Sequence, residues 1–365
     1  MLNYNEALKL ETLKTKEDYR AFDNRIVTEQ ARYPLKNAKS NFSDFILAPE
    51  YQRNNVWEPN KQSKLIESFM INIPIPPVFL YETSFSKYEV VDGRQRISAI
   101  LSFYNNEFPL TGLEIFTELE GKRYEELEDE FKERLDRRFL SAIILLKEST
   151  STDSRELELK QFIFERLNTG GELLEPQEIR SALYSDSEFN NLVKELKSNK
   201  LFTTLFKMSE KQCNRMLDQE MILRFFAYKS AHYLKLSLGT KEVLNKYMSV
   251  SRNFDHKVIS ELRELFIKTI SFVSNNFGPN AFVRTGQEKS RKPEKLLYDS
   301  IMIASAVCIE KKISINLDQA TLINKKNELL EKNKSKFNGR NTSLTNVRER
   351  VDLFLQLLGV KDEND

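Results

Sequence analysis

The residues between Val90 and Ile97 are of the types that can bind a phosphate group. Their sequence, VVDGRQRI, predicts a strand that passes through a glycine turn directly into a helix. The first turn of a helix presents unpaired N–H groups and the positive end of the helix dipole, so it attracts anions and disfavours Arg94 and Arg96. A bound phosphate would reverse that penalty, and Gly93 would let the backbone approach it closely.

Arg94 and Arg96 cannot both face one ligand from a regular helix, because residues two apart point about 200° apart. We therefore expect one arginine to bind phosphate and the other to brace the site. The competing interpretation is that Asp92 is an ordinary helix N-cap and that both arginines pair with surface carboxylates. The short segment alone does not decide between these two interpretations.

Two further polar turns favour a phosphate site. Residues 49–53, PEYQR, form a basic turn after a predicted strand over residues 42–48. Residues 164–171, FERLNTGG, interrupt a helical pattern, and Pro176 suits the first turn of the next helix. Both turns therefore supply arginines or backbone amides that could approach the same ligand.

The elements that must position these turns differ between the two halves of the chain. Most of the ten prolines lie before residue 110, which is where short strands and turns are expected. The patterns there predict a helix over residues 61–70, a hairpin of residues 77–81 and 87–91, and a strand over residues 141–146. From residue 155 onward the apolar spacing is helical, apart from an expected exposed loop over residues 278–293. The fold class is therefore α+β, with an all-α C-terminal half.

Composition excludes several classes of function. Lys plus Arg is 56 and Asp plus Glu is 54, a balance of +2, so contact with nucleic acid would require a local patch. Two cysteines and two histidines permit neither a disulfide framework nor the familiar histidine-dependent metallohydrolase motifs. We expect His232 and His256 to be structural. There is no apolar leader and no apolar run long enough to span a bilayer, so we expect a cytoplasmic protein without membrane contact.

Three ordered motifs resemble the N-terminal domain family of GmrSD-type restriction endonucleases. They are APEYQRNNVW, VVDGRQRISAI and FERLNTGGELLEPQEIR, and the later NRMLDQEMILRFFAY is similar to the helical part of that family. The family signature is D-G-Q-Q-R, and position 94 is Arg where the family has Gln. The resemblance implies a ParB/sulfiredoxin-like core over residues 41–185, between an N-terminal extension, 1–40, and an α-helical domain, 186–365.

The resemblance also implies that the core binds and hydrolyses a nucleoside triphosphate with Mg²⁺, in bacterial defence against phage DNA. Asp92, Gln95 and Arg96 would then be catalytic, with Asp92 also the candidate metal ligand. Arg53 and Arg96 would hold phosphate oxygens by charge-assisted hydrogen bonds. The expected nucleotide-binding residues are Gln52, Arg53, Gly93, Arg94, Arg166, Asn168, Gly170 and Gly171.

The family often joins this domain to an HNH nuclease domain, whose chemistry needs a catalytic histidine. Neither histidine here has that context, so we expect a separately encoded nuclease partner. A PD-(D/E)xK nuclease, suggested by Asp153 and Glu158-Leu159-Lys160, is rejected because the segment has helical spacing, and no Walker A motif occurs.

The alternative to an NTP-hydrolysing regulatory subunit is a non-catalytic nucleotide- or DNA-binding module. Near-neutral charge favours the first function, because DNA binding usually rests on several phosphate contacts. A basic C-terminal stretch leaves DNA open as a partner: it comprises Lys325, Lys326, Lys332, Lys334, Lys336 and Arg340.

Overall fold

The chain forms two compact units that meet in sequence between Leu183 and Tyr184. The structure, a computed structural model, describes residues 27–43, 45–46, 57–147, 156, 159–160, 162–163, 166, 175–236, 238–284, 292–338 and 343–360. Among these residues, none of the helices combines the length and the apolar character that crossing a membrane requires.

The first unit is built on one mixed sheet of five strands. The strands are β1 (Thr28–Pro34), β2 (Phe45–Ile46), β3 (Val78–Ser84), β4 (Lys87–Asp92) and β5 (Phe139–Leu145). Their order across the sheet is β1-β5-β3-β4-β2. β1 pairs with β5 and β3 with β4 in antiparallel fashion, whereas β3 with β5 and β4 with β2 are parallel. The α+β class is confirmed, and the likeness to ParB and sulfiredoxin stays a prediction.

The helices of the first unit follow the predicted apolar spacing. They are α1 (Ala38–Phe42), α2 (Pro59–Met70), α3 (Arg94–Tyr104), α4 (Asp129–Asp136) and α5 (Pro176–Leu183). On α2 the buried apolar residues lie at positions 65, 66, 69 and 70, and on α3 they include Ile97 and Ile100. These faces share one core with Leu80 and Val90 of the sheet, which fixes the start of α3 against β3 and β4.

The N-terminal part of the sheet corrects two predictions. Residues 42–48 are not one strand: Phe42 ends α1, and the strand β2 contains two residues. The error arose because Ala38 and Phe42, four residues apart, bury one helical face, and this spacing extends the helix into the apolar run. The predicted extension, residues 1–40, contributes β1 to the sheet. As an edge strand with mostly polar, exposed residues, β1 lacks the alternation that would reveal it.

A buried lysine packs against the sheet at Tyr81 of β3 and Glu89 of β4. Lys160 lies in a helical stretch and is 2.8 Å from both Glu89 and Glu156, with its ammonium 4.2 Å from the centre of the Tyr81 ring. Burial opposes the charge on Lys160, but the two carboxylates outweigh it and raise the pKa of the ammonium. The PD-(D/E)xK nuclease motif places this lysine on a strand, whereas the backbone of Lys160 is helical. The structure therefore agrees with the rejection of that motif.

The second unit is helical in its described residues. Its helices are α6 (Glu188–Leu196), α7 (Lys200–Leu205), α8 (Glu210–Asn214), α9 (Leu217–Tyr233), α10 (Thr240–Ser251), α11 (His256–Phe277), α12 (Lys295–Glu310), α13 (Gln319–Lys332) and α14 (Leu344–Leu357). The core of this unit contains an ion pair, in which Arg224 of α9 donates two hydrogen bonds to the fully buried Asp299 of α12. Asp218 lies in the motif NRMLDQEMILRFFAY at the start of α9, and its Oδ1 atom accepts a hydrogen bond from the amide of Gln219 at 2.8 Å.

The two histidines have different environments in the second unit. His256 begins α11 with its side chain exposed, whereas the side chain of His232 on α9 is mostly buried. The Nε2 atom of His232 is 3.8 Å from Asp352. Burial, together with the positive charges of Arg348, Lys229 and Lys235, lowers the pKa of His232 to about 4. The imidazole is therefore neutral at pH 7.

We expect this histidine to make the second unit sensitive to acid. Its pKa lies below the ordinary value of 6.5, so the unfolded chain binds more protons between pH 6.5 and about 4. The contribution to stability is complete above that window and is lost as the pH falls through it, by up to about 3 kcal/mol. Denaturant unfolding across this range should show a steeper loss for the wild type than for His232→Gln. Parallel profiles would contradict the assignment.

Candidate functional site

The predicted glycine turn joins β4 to α3 without an intervening loop. Asp92 is the last residue of β4, Gly93 is the N-cap of α3, and the amide of Ile97 donates to the carbonyl of Gly93 at 3.0 Å. The pairing of β3 with β4 shifts register just before this turn, since Leu80 faces Val90 whereas Phe79 faces Asp92. Such an irregularity turns a side chain away from the regular alternation, and here it presents the Asp92 carboxylate at the end of the strand.

Gly93 is required by both conformation and space. Its φ is +95°, in the left-handed region that other residues adopt at a cost. A Cβ atom at this position would lie 2.3 Å from Cγ1 of Val78 and 3.2 Å from Nη2 of Arg96. The turn therefore brings its main chain against the start of β3 and against a guanidinium group.

Arg94 is the bracing arginine of the predicted pair. Its side chain is buried, and Nε donates to the carbonyl of Val90, four residues earlier in β4, at 2.8 Å. This contact ties the first turn of α3 back to β4. The prediction that Arg94 and Arg96 point in different directions agrees with these positions, because Arg96 faces a different set of acceptors.

Arg96 holds three acceptors around the turn. Nη2 donates to Oδ2 of Asp92 at 2.7 Å, while Nη1 donates to the carbonyl of Pro76 and to that of Pro77 at 3.3 Å. Burial lowers the pKa of the Arg96 guanidinium, and the Asp92 carboxylate opposes that effect. The protein itself thus supplies partners for the cation at this helix start, so a bound anion is not needed to offset the dipole.

Gln95 connects the turn with the chain that precedes α2. Its Oε1 atom accepts from the backbone amide of Trp57 at 3.1 Å, and the carbonyl of Trp57 accepts from Nε2 of Gln62 at 2.7 Å. The Trp57 ring packs against the core of the first unit, with the ammonium of Lys61 4.7 Å from its centre. Trp57 is accordingly a packing residue, and Gln95 anchors the end of the APEYQRNNVW motif.

The structure brings together only part of the predicted site. Asp92, Gly93, Gln95 and Arg96 adjoin one another, with Arg94 beneath them. Arg166 lies on an exposed helical position with its guanidinium 4.3 Å from the centre of the Phe162 ring, and it forms no ion pair within the described residues. The remaining predicted residues, Gln52, Arg53, Asn168, Gly170 and Gly171, lie outside the described residues.

The sequence did not indicate the two proline carbonyls that hold Arg96. They belong to residues 73–77, IPIPP, where proline fixes φ and gives an extended, stiff segment. That run of prolines is the signal that could have marked them, since an extended chain leaves its carbonyl oxygens available to side-chain donors. Their position beside Asp92 depends on the pairing of β3 with β4.

Asp92 suits a partly hydrated Mg²⁺ ion better than a fully enclosed metal. Its side chain is 47% exposed, and only Oδ2 has a partner among the described residues. Those residues contain no group of three or more histidine, cysteine or carboxylate ligands. Mg²⁺ commonly binds through one or two carboxylates and completes its shell with water and phosphate oxygens, so a single exposed carboxylate fits its chemistry.

Residues 33–185 match the family model described as GmrSD restriction endonuclease, N-terminal domain. The match contains the β4 to α3 turn and most of the sheet. This part of the chain is a GmrSD-type N-terminal domain, and the family connects the protein with restriction systems. No curated protein and no solved structure matches the chain.

Proposed function

We propose that the chain is a nucleoside-triphosphate-binding and hydrolysing regulatory subunit of an anti-phage, modification-dependent restriction system in the bacterial cytoplasm. In this proposal it acts with a separately encoded nuclease, and DNA is the target of the pair. One observation carries the proposal: the Asp92 carboxylate and the Arg96 guanidinium lie 2.7 Å apart against the left-handed Gly93 turn at the start of α3.

The local chemistry of this turn suits a polyphosphate. Among the described residues no side chain caps α3, so the amides of its first turn are available to phosphate oxygens. Arg96 adds a fixed cation, and Asp92 can hold Mg²⁺ or orient an attacking water. Phosphoryl transfer depends chiefly on positioning and charge neutralisation, so arginine, aspartate and backbone amides are sufficient for it.

Two of the other predicted nucleotide-binding residues are close in sequence to a residue that contacts this turn. Gln52 and Arg53 precede Trp57 by five and four positions, and Trp57 is hydrogen-bonded to Gln95. The contact holds Trp57, the last residue of their motif, at the start of α3. We propose that Arg53 completes the cationic side of the site, with Asn168 and the Gly170-Gly171 backbone as further contacts.

Phosphate release from each of the four NTPs with Mg²⁺ tests this proposal directly. We expect the wild type to hydrolyse at least one NTP, and Asp92→Ala and Arg96→Ala to lower kcat/KM by at least about 100-fold, a typical effect of removing a group that stabilises transition-state charge. Arg134→Ala is the matched control, because Arg134 forms the same i,i+4 ion pair with Glu130 on exposed α4. If the wild type neither binds nor hydrolyses any NTP, the proposal is wrong.

A non-catalytic DNA-binding module is the second candidate, and the basic C-terminal stretch is the feature that favours it. The structure weakens that argument. The ammonium of Lys326 is buried and donates to carbonyl oxygens of the turn at residues 280–283, while Lys334 and Lys336 form ion pairs with glutamates. Lys325 and Lys332 are exposed. A steep decrease of DNA affinity with salt would nevertheless support this second function.

A further inference from the structure

The Nη2 atom of Arg96 holds the Asp92 carboxylate and lies where it would also contact a phosphate bound at the turn. Nη2 is 2.7 Å from Oδ2 of Asp92. It is also 3.2 Å from the position that a Cβ of Gly93 would take, a position crowded by Val78, so Nη2 lies directly beside the glycine turn. A phosphate cradled by the amides after Gly93 would therefore meet the same N–H group that now holds the carboxylate.

The Asp92–Arg96 ion pair masks both partners. While the pair is formed, the negative charge of Asp92 offsets the attraction of Arg96 for an anion, and one oxygen of Asp92 is unavailable to a metal ion. The pair is nevertheless reachable, since 47% of the Asp92 side chain is exposed and 13% of the Arg96 side chain. The opposite nitrogen, Nη1, is held by the carbonyls of Pro76 and Pro77, so Nη2 can exchange partners while Nη1 stays in place.

We propose that the Asp92–Arg96 pair is a lock that couples phosphate binding to metal binding. The phosphate takes Nη2 of Arg96, and this exchange releases the Asp92 carboxylate for the divalent ion. The inference rests on the proposed function and adds an order to it: the metal binds well only once a polyphosphate has opened the lock. Because binding linkage is reciprocal, each ligand increases the affinity for the other.

Inorganic triphosphate without any divalent metal provides the test. In EDTA, Asp92→Asn frees Arg96, so we expect isothermal titration to show about tenfold tighter triphosphate binding than for the wild type. With Mn²⁺ present, the same variant should lose the gain that the metal gives the wild type. This reversal of sign identifies a lock, because a structural defect at Asp92 would weaken binding in both conditions.

A double-mutant cycle separates the lock from general charge effects. If Asp92 acts through Arg96, Asp92→Asn has no effect on triphosphate affinity in the Arg96→Gln background. Arg96→Met is a second background that also removes the charge, in case Arg96→Gln unfolds the protein, with folding checked by circular dichroism. Glu130→Gln, in the i,i+4 pair with Arg134 on α4, should leave the affinity unchanged.

The outcomes separate the lock from the proposed function. Triphosphate binding that Asp92→Asn weakens or leaves unchanged in EDTA overturns the lock alone, as does a gain that persists without Arg96. The expected gain without hydrolysis of any NTP supports the lock and overturns the hydrolytic function. Failure of all proteins to bind triphosphate and NTPs in both conditions overturns both.

Discussion

Replacing Gly93 by alanine is expected to destabilise the first unit by about 3 kcal/mol and to abolish the proposed nucleotide binding. A residue with a Cβ pays about 1–2 kcal/mol to adopt the left-handed conformation. The new methyl group would also lie 2.3 Å from Cγ1 of Val78, and overpacking of a core commonly costs about 1–3 kcal/mol. Relief of that clash would move the turn away from β3, and with it the amides and Arg96.

Gly121→Ala is the matched control for this prediction. Gly121 also has a left-handed φ, +80°, but nothing lies within 4 Å of its added Cβ. We expect it to cost about 1 kcal/mol and to leave nucleotide affinity unchanged. The single tryptophan, Trp57, lies in the first unit, so its fluorescence during denaturant unfolding reports on that unit. Equal losses for the two variants would show that contact with Val78 is not the cause.

A double mutant separates space from backbone strain at the turn. Val78→Ala removes Cγ1, the atom that the new methyl group would approach most closely, and leaves the Cβ of residue 78 at 2.8 Å. The two substitutions together should therefore destabilise the unit less than the sum of their single effects, because the closest contact of the clash is removed. Strict additivity would mean that the turn relaxes without touching β3.

The second large effect is expected from Asp299 in the helical unit. The Asp299 carboxylate is fully buried, and it accepts from Nε of Arg224 at 3.0 Å and from Nη2. Burial works against the charge of Arg224, but Asp299 outweighs it and holds the pKa of the guanidinium above its usual value. Asp299→Asn would leave the arginine without its buried counter-charge, so we expect a loss of about 3–5 kcal/mol.

An exposed pair of the same type provides the control. Arg263 binds Glu195 through two hydrogen bonds of 2.9 Å, but both side chains are partly exposed. Glu195→Gln should cost less than about 1 kcal/mol in denaturant unfolding followed by circular dichroism. Replacing both Arg224 and Asp299 with Met and Leu should recover part of the loss, because the guanidinium and its counter-charge are removed together, while the buried Arg350 loses the nearby Asp299 charge. A small effect of Asp299→Asn would contradict the argument.

The predictions from sequence were most accurate where a pattern involves neighbours in the chain. The extended run before Asp92 and the helical spacing after it located the β4 to α3 turn, and the glycine between them marked its left-handed residue. The hairpin of β3 and β4 and the apolar face of α2 followed in the same way. Period and turn chemistry are local properties, so a short segment contains all the information needed.

The sequence by itself determined the α+β class, the glycine turn and the residues gathered there. Only the tertiary structure decided which arginine is bonded to β4 and which pairs with Asp92. The reason is that the acceptors of Arg96 include carbonyls about twenty residues earlier. It also placed Lys160 on Glu89, 71 residues away, and added β1 to the sheet. The physical reason is that a hydrogen-bonding group takes whichever partner the packed chain brings within reach, and local periodicity contains no record of that partner.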